Sequence, residues 1–205
     1  MHLDELDAVP WAGGSLTWRP VRGQLGIRAF GAAAFTAAQA GDAVVEAHVE
    51  SGDGRGHQEL YFVARGRATF TLDGRELDAP AGTFVFVEEP SVRRAAVAAE
   101  PDTAVLAFGG DAGAFLPAGD EYIARVRGAL LDGAPQRARE LAAAGLRELP
   151  DSPGVRYALA LAAAAGGDDE QARARLAEAV ERVPALADEA RTDAALARLL
   201  DDPSA

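Results

Sequence analysis

The stretch GHQELYFVARGRATF, residues 56–70, decides how the first half of the chain is interpreted. Apolar and polar residues alternate before Gly66 and again after it, as they do in strands that bury one face. Because glycine adopts positive φ without steric cost, we expect the chain to turn at Gly66 and to form a hairpin. His57 and Glu59 are two positions apart, and this spacing places both side chains on one face of the first strand.

Similar short runs fill the sequence on both sides of this stretch. Asp73-Gly74 separates two alternating runs and is a strong signal for a two-residue hairpin. Many short strands at this spacing predict a closed β-barrel or a sandwich. The nine predicted strands are LTWRPVR (16–22), GIRAFGAAAFTA (26–37), AVVEAHVE (43–50), QELYFVA (58–64), RATFTL (67–72), RELDAP (75–80), TFVFV (83–87), VRRAAVA (92–98) and TAVLAFGG (103–110).

The pattern changes at residues 109–119, GGDAGAFLPAG, which are typical of a linker. Beyond them the apolar period is helical, and features recur with a spacing of 34 residues. A repeat of this length with a small alanine in its second helix and a proline at its end resembles the tetratricopeptide repeat. The alternative is a generic alanine-rich helical bundle. The recurring pairs are Gly133 and Gly167, Ala138 and Ala172, and Pro150 and Pro184.

Two such repeats are fewer than usual, so another element must cover the open end of the stack. The tail LADEARTDAALARLLDD, residues 186–202, can supply a capping helix. Its predicted apolar stripe consists of Leu196, Leu199 and Leu200.

The composition excludes several kinds of chemistry. All 20 basic residues are arginine, cysteine is absent, and the net charge is −12. Without cysteine there are no disulfides, thiolate metal sites or thiol nucleophiles, and without lysine no covalent pyridoxal phosphate linkage. An acidic surface repels phosphate groups, so we expect neither nucleic acid nor a membrane as a partner. The N-terminus does not resemble a signal peptide, and we expect a cytoplasmic protein.

The first half resembles the cupin superfamily, whose members are small β-barrels of the jelly-roll type. Glu59 and Gly66 have the spacing of the glutamate and glycine that end the first cupin motif. Gly74, Pro80 and Gly82 match the glycine, five residues and Pro-x-Gly that open the second. The resemblance implies a fold more than a function, because cupins include metalloenzymes, isomerases and plain sugar or hormone binders.

We therefore predict an α+β protein in two parts. Residues 1–112 form a cupin/jelly-roll β-barrel, with the resemblance extending over residues 40–110. Residues 118–205 form a small all-α domain of tetratricopeptide-like repeats with a capping helix. This combination is similar to bacterial cupin proteins that carry a repeat tail.

The metal ligands implied by the resemblance are not all present. Cupins usually place two histidines shortly before the glutamate, but residues 51–56, SGDGRG, contain none. The last histidine of the family falls on Arg93, and arginine cannot lose its proton to become a ligand. The usual site of three histidines and one glutamate is therefore absent.

Strand alternation offers a different set of ligands. Period-two counting places Glu46, His48 and Glu50 on one face of their strand, while His57 and Glu59 share a face of the next. If both faces point into the barrel, His48, His57 and Glu59 form a two-histidine, one-carboxylate set that suits iron(II), or zinc with an open position.

A competing interpretation needs no metal. His57 then lies at a strand end near solvent, and Glu59 pairs with Arg93 or Arg94, because a buried carboxylate needs such a partner. The side chains that we expect to line a ligand site inside the barrel are Glu46, His48, His57, Glu59, Tyr61 and Arg93.

Two functions remain open, so the sequence does not decide whether the protein is an enzyme. In the first, the barrel has no cofactor and binds a small molecule or serves as a structural module, while the helical tail mediates protein or self association. In the second, iron, zinc, nickel or manganese on His48, His57 and Glu59 supports oxygenase, isomerase or cyclase chemistry. Leu60 and Phe62 form an apolar face opposite Glu59 that needs cover, and with the resemblance this predicts a homodimer.

Overall fold

The computed structural model describes residues 1–11, 15–51 and 56–201. The chain divides into two compact units, Met1–Phe115 and Leu116–Ala205, which we call the β unit and the helical unit. All the described strands lie in the first unit, and all but one of the described α-helices lie in the second. The predicted α+β class is confirmed.

The β unit contains ten described strands, one short 3-10 helix at Leu3–Glu5 and one short α-helix, α1, at Val21–Leu25. The strands are β1 (Val9–Trp11), β2 (Leu16–Arg19), β3 (Gly31–Ala37), β4 (Ala43–His48), β5 (His57–Arg65), β6 (Arg67–Leu72), β7 (Arg75–Pro80), β8 (Phe84–Val87), β9 (Arg94–Ala98) and β10 (Thr103–Asp111). They form a six-stranded sheet of order β1-β2-β3-β10-β5-β8 and a four-stranded sheet of order β4-β9-β6-β7.

The two sheets share one hydrophobic core. Both contribute inward-facing residues at alternate positions, as expected for strands that bury a single face. A fully buried side chain such as Phe70 contributes about 1.5–3 kcal/mol relative to an exposed one. The buried core consists of Ala37, Val44, Val45, Tyr61, Val63, Ala68, Phe70, Ala79, Val85, Val87, Ala96, Ala98, Val105 and Ala107.

The stretch at residues 56–70 forms two strands, but the predicted hairpin is wrong. β5 pairs with β10 and β8, whereas β6 pairs with β7 and β9, so the chain passes from one sheet to the other at Gly66. Gly66 has a φ of 71°, and a Cβ there would lie 2.5 Å from the Thr103 Oγ1 atom. Alternation identifies the two strands, but it carries no information about their partners.

The predicted closed barrel is also wrong. Among the described residues no strand pair joins the two sheets, which therefore form an open sandwich. The second turn is as expected: Asp73 and Gly74, with φ of 46° and 82°, connect β6 to β7 in an antiparallel hairpin.

The helical unit begins with two helix pairs of equal spacing. Its described helices are α2 (Gly119–Leu131), α3 (Pro135–Glu148), α4 (Pro153–Ala165), α5 (Asp169–Arg182), α6 (Leu186–Thr192) and α7 (Ala194–Asp201). α2 and α4 begin 34 residues apart, as do α3 and α5, so the period found in the sequence is a period of helices. That these pairs belong to the tetratricopeptide class stays a prediction. None of the described helices combines the length and apolar character needed to cross a bilayer.

Equivalent positions of the two pairs have equivalent surroundings. Ala138 and Ala172 are both fully buried, which lets neighbouring helices approach closely. Gly133 and Gly167 both have positive φ, 68° and 80°, in the turns before α3 and α5. The small residue Gly145 of α3 packs against the ring of Tyr122 on α2.

The tail helix α7 packs through two of its three predicted leucines. Leu196 and Leu199 are buried, whereas Leu200 is 42% exposed. The turn before α7 is fastened by Asp193, which accepts hydrogen bonds from Arg127 on α2 and from Tyr157 on α4.

Two helical glycines should respond in opposite ways to alanine. In Gly145→Ala the new Cβ would lie 2.8 Å from the Tyr122 ring, so we expect a loss of about 1–3 kcal/mol of unfolding free energy through overpacking. Gly128 on α2 has no atom within 4 Å of the added Cβ, so Gly128→Ala should gain up to about 1 kcal/mol from helix propensity.

Chemical denaturation followed by the helical circular dichroism signal measures both effects. Equal shifts of the unfolding midpoint in the two variants would contradict the close packing of α3 on Tyr122.

Candidate functional site

The candidate site lies between the two sheets. His48 ends β4 and Arg94 begins β9, and these two residues are directly opposite each other in the four-stranded sheet. Glu59 and Tyr61 belong to β5 of the six-stranded sheet, and both face the core. The site therefore draws its charged groups from both layers of the sandwich.

Arg94 is a fully buried arginine whose guanidinium has several acceptors. Its Nη1 donates to Glu59 Oε2 at 2.9 Å. Its Nε and Nη2 donate to main-chain carbonyl oxygens of Glu89, Pro90 and Val92 at 2.9–3.2 Å. A buried guanidinium is tolerated when its donors are paired in this way, so Arg94 is a fixed positive charge inside the unit.

Glu59 is the acceptor around which the site is arranged. Its Oε2 accepts hydrogen bonds from Arg94 and from the Tyr61 hydroxyl, and it lies 3.5 Å from His48 Nε2. The carboxylate side chain is 13% exposed. Burial raises the pKa of Glu59, but the hydrogen bonds from His48, Tyr61 and Arg94 together lower that pKa below its usual value.

Tyr61 is held in its protonated form. Burial, together with the neighbouring Glu59 carboxylate, raises the pKa of Tyr61 far above its ordinary value. Its ring lies 5.4 Å from that of Phe70 in the core. The tyrosine is therefore a hydrogen-bond donor to Glu59 at neutral pH.

His48 is oriented at both ring nitrogens. Its Nδ1 lies 2.7 Å from the main-chain oxygen of Glu46, which only accepts, so Nδ1 carries a hydrogen. Its Nε2 faces Glu50 Oε1 at 3.2 Å and Glu59 Oε2 at 3.5 Å. A neutral imidazole would turn a lone pair toward two carboxylates, so either a proton or a cation must lie at Nε2.

The electrostatics favour the proton. The hydrogen bond to Glu59 raises the pKa of His48, and this effect exceeds the opposing effect of burial. The protonated ring donates from both nitrogens, and its single charge complements the two carboxylates beside Arg94.

A metal ion is the other way to place a positive charge at this point. Among the described residues, His48, Glu50 and Glu59 offer one ligand atom each within 4.8 Å of one another. One imidazole and two carboxylates fit a divalent cation in donor type. However, Arg94 donates to Glu59 Oε2, and its guanidinium cannot shed its charge. Repulsion from Arg94 therefore weakens the binding of a divalent ion more than it weakens the binding of a proton.

The structure places Glu50, rather than His57, beside His48 and Glu59. His57 is 43% exposed and lies 3.5 Å from Glu50 Oε2 and 3.4 Å from Asp111 Oδ1. The sequence had already placed Glu50 on the face of His48. The signal that identifies it as a member of the site is this shared face, combined with its position just after β4.

The other predicted residues of the barrel interior divide into two groups. Tyr61 is buried beside Glu59. Glu46 is exposed, and its carboxylate accepts a hydrogen bond from the indole of Trp11. Arg93 is exposed, and its main-chain N–H donates to Asp73. Of the two arginines considered as partners of Glu59, Arg94 makes the pair, because β9 begins there with its side chain directed inward.

A cleft of about 620 Å³ opens beside Glu59. Its walls include the aromatic residues Trp18, Phe30 and Phe35, and small residues of β3 and β10 form much of the remaining surface. Sequence reasoning did not identify this cleft, since it depends on Ala32, Ala33, Ala107, Gly109 and Gly110 leaving space between neighbouring strands.

Comparisons with known proteins give a fold similarity and no assignment. No known protein-family profile matches the sequence, and no curated protein matches it. Among solved structures, KdgF from Halomonas sp. is similar at 17% identity and a TM-score of 0.40, covering 53% of this chain and 88% of that chain. A cupin protein from Bacteroides fragilis is similar at 20% identity and a TM-score of 0.40, covering 55% and 90%.

A third solved structure, described as a predicted oxalate decarboxylase from Thermotoga maritima, has 15% identity and a TM-score of 0.43, covering 54% of this chain and 96% of that one. These similarities extend over about half of the present chain. Identities and TM-scores of this size do not assign a function.

Removing the guanidinium should destabilise the β unit strongly. In Arg94→Met, Glu59 remains buried without its charged partner, and the loss of unfolding free energy should be about 3–5 kcal/mol. The double variant Arg94→Met/Glu59→Leu removes both charges and should recover part of this loss. Both tryptophans lie in the β unit, so denaturation followed by tryptophan fluorescence reports this unit alone.

The exposed neighbour supplies the matched control. Arg93→Ala should change the unfolding free energy by less than about 0.5 kcal/mol. A loss in Arg94→Met no larger than that in Arg93→Ala would contradict the role assigned to the buried pair.

The stability of the β unit should also depend on pH through His48 and Glu59. The pKa of His48 is raised from 6.5, so its stabilising contribution is complete below pH 6.5 and is lost as pH rises through the folded-state pKa. The pKa of Glu59 is lowered from 4.5, so its contribution is complete above pH 4.5 and is lost as pH falls through the folded-state pKa.

We therefore expect wild type to exceed His48→Gln in unfolding free energy most clearly below pH 6.5, and the difference to shrink at higher pH. Denaturation followed by tryptophan fluorescence, in the presence of a chelator, measures this difference in unfolding free energy. A difference that does not change between acidic and alkaline pH would show that His48 is not protonated in the fold.

Proposed function

We propose that the β unit is a cupin-type module that binds a small molecule in the cleft beside Glu59 and does so without a metal ion. The observation that carries this proposal is the buried Arg94–Glu59 ion pair. Arg94 gives Glu59 a permanent positive partner, so the carboxylate needs no metal for its stability.

The cleft supports a binding role for this module. Its volume of about 620 Å³ lies in the range of ordinary small-molecule sites, about 300–1,000 Å³. Glu59 Oε2 is occupied by its neighbours, whereas Oε1 accepts no hydrogen bond from any described residue. This free oxygen, on a residue that lines the cleft, is available to a hydroxyl or amino group of a ligand.

A second candidate function is a metal-dependent enzyme of the oxygenase, isomerase or cyclase type. The orientation of His48 favours it, because Nε2 points at two carboxylates across a gap that a cation can fill. His48, Glu50 and Glu59 would hold the ion. When bound, such an ion would act as a Lewis acid toward a substrate oxygen.

Metal analysis of protein purified without a histidine tag separates these functions. We expect far less than one iron, nickel, zinc or manganese ion per chain, and no uptake of these ions after dialysis against them. A content near one ion per chain that disappears in His48→Ala and persists in His2→Ala would overturn the metal-free proposal. Loss of that ion in His57→Ala, but not in Glu50→Gln, would point to the ligand set predicted from the sequence.

We further propose that the helical unit mediates association with a protein partner or with a second chain. A groove of about 480 Å³ lies among α3, α4 and α5, and most of its lining is small or apolar. Short side chains in the lining allow the backbone of another helix to approach closely. The residues concerned are Ala142, Ala143, Leu159, Ala162 and Ala163.

A homodimer through the outer face of the six-stranded sheet is proposed for the β unit. Phe84 and Phe86 on the edge strand β8 are 64% and 55% exposed. They extend the apolar face of Leu60 and Phe62, and the rings of Phe62 and Phe84 are 4.6 Å apart. An exposed edge strand with large apolar side chains is a surface that proteins usually cover.

Light scattering coupled to size exclusion tests the dimer. We expect twice the mass of one chain for wild type and a single-chain mass for Phe84→Glu/Phe86→Glu. Leu77→Glu places the same charge on an exposed leucine of β7 in the other sheet and should leave the dimer intact. A wild-type protein that remains a monomer at every concentration would refute the proposal.

A further inference from the structure

Two arginines that line the cleft make no interactions with described parts of the protein. Arg22 and Arg28 both face the cleft and are exposed. Neither side chain has a hydrogen bond or an ion pair with any described residue. Arg65 and Arg67 of the same unit are paired with aspartates, whereas the exposed side chains of Arg75 and Arg93, which lie outside this cleft, have no ion pair with a described residue either. In a chain with a net charge of −12, two unpaired cations at one cleft indicate an external anion.

A backbone turn connects the two arginines that line the cleft. Helix α1 ends at Gly26, which has a φ of 68°. The N–H groups of Gly26 and Ile27 both donate to the main-chain oxygen of Arg22. This closed turn brings the chain back, so that Arg28 lines the cleft together with Arg22. Local backbone structure thus sets the backbone positions of both arginines.

The charged residues that line the cleft are of both signs. Arg22 and Arg28 are positive, Glu59 and Asp111 are acidic, and His57 lies between Glu50 and Asp111. An anionic group is repelled by the carboxylates and attracted to the guanidinium groups, which bind carboxylate or phosphate oxygens in pairs.

Part of the cleft lining is apolar and aromatic. Trp18, Phe30 and Phe35 line the cleft, and aromatic side chains bury flat apolar groups well. We infer that the ligand is a small organic anion whose apolar body contacts these rings and whose carboxylate or phosphate group lies on Arg22 and Arg28. This inference rests on the proposed binding function and names the ligand class for the same cleft.

Three probes of similar shape test the inference: benzoate, phenyl phosphate and the neutral benzamide. Trp18 lines the cleft, so tryptophan fluorescence and calorimetric titration both report binding. We expect at least one anion to bind wild type more tightly than benzamide does. The double variant Arg22→Gln/Arg28→Gln should weaken the binding of that anion by at least about tenfold in dissociation constant, or about 1.4 kcal/mol. Arg75 is an exposed arginine on β7, and Arg75→Gln should leave the affinity for that anion unchanged. Whichever anion binds more tightly identifies the group as carboxylate or phosphate.

A blocking variant locates the binding. Gly109 is paired with Glu59 across β10 and β5, and a Cβ at Gly109 would lie 3.6 Å from Glu59 Cγ. The added Cβ is at ordinary van der Waals distance, so we expect a leucine to fill the space beside Glu59, and Gly109→Leu that retains the folded tryptophan fluorescence should not bind the anion. Anion binding that survives Gly109→Leu would place the anion elsewhere and overturn the inference.

The outcomes separate this inference from the function on which it rests. One outcome is that benzamide binds as tightly as the anions, that Arg22→Gln/Arg28→Gln has no effect on binding, and that Gly109→Leu abolishes binding. This outcome overturns the inference of an anionic ligand but leaves the proposal that the cleft binds a small molecule. No binding of any probe at millimolar concentration overturns the anion inference. Tight metal uptake overturns the metal-free proposal whatever the probes show.

Discussion

The hydrogen-bonded ion pair between Arg94 and Glu59 is the constraint on which the candidate site depends. Arg94 belongs to the four-stranded sheet and Glu59 to the six-stranded sheet, so the pair fastens the two layers of the sandwich together. Removing two charges from water is unfavourable, and it is offset only where every donor finds an acceptor. The carbonyl oxygens of residues 89, 90 and 92 complete that set, which explains why this turn and the start of β9 are held close to Glu59.

The pair also determines the remaining chemistry of the site. With one oxygen of Glu59 committed to Arg94 and Tyr61, the carboxylate is a poor ligand for a second cation. His48 then balances Glu50 and Glu59 best as an imidazolium. The cleft beside the pair is lined by Glu59 and by two arginines, Arg22 and Arg28, that form no ion pair with a described residue.

Local features of the sequence predicted local structure well, and features that depend on distant partners less so. The 34-residue spacing predicted the period of the helices, because the same small residues pack at equivalent positions in each helix pair. Gly66 predicted the end of a strand. The alternation of apolar and polar residues on either side of it could not show that β5 and β6 enter different sheets. Arg93 and Arg94 are adjacent and alternate in direction, so the choice between them depends on the residue at which β9 begins. Glu50, rather than His57, lies beside His48, and His57 lies between Glu50 and Asp111.

The zinc affinity of Arg94→Met, compared with that of wild type, tests most directly the claim that Arg94 stands in place of a metal ion. Titration calorimetry on protein that retains the folded tryptophan fluorescence supplies both values. We predict that the variant, in which Glu59 is released from the guanidinium, binds zinc at least about tenfold more tightly than wild type, a difference of about 1.4 kcal/mol. Equal affinities, or tighter binding by wild type, would contradict it.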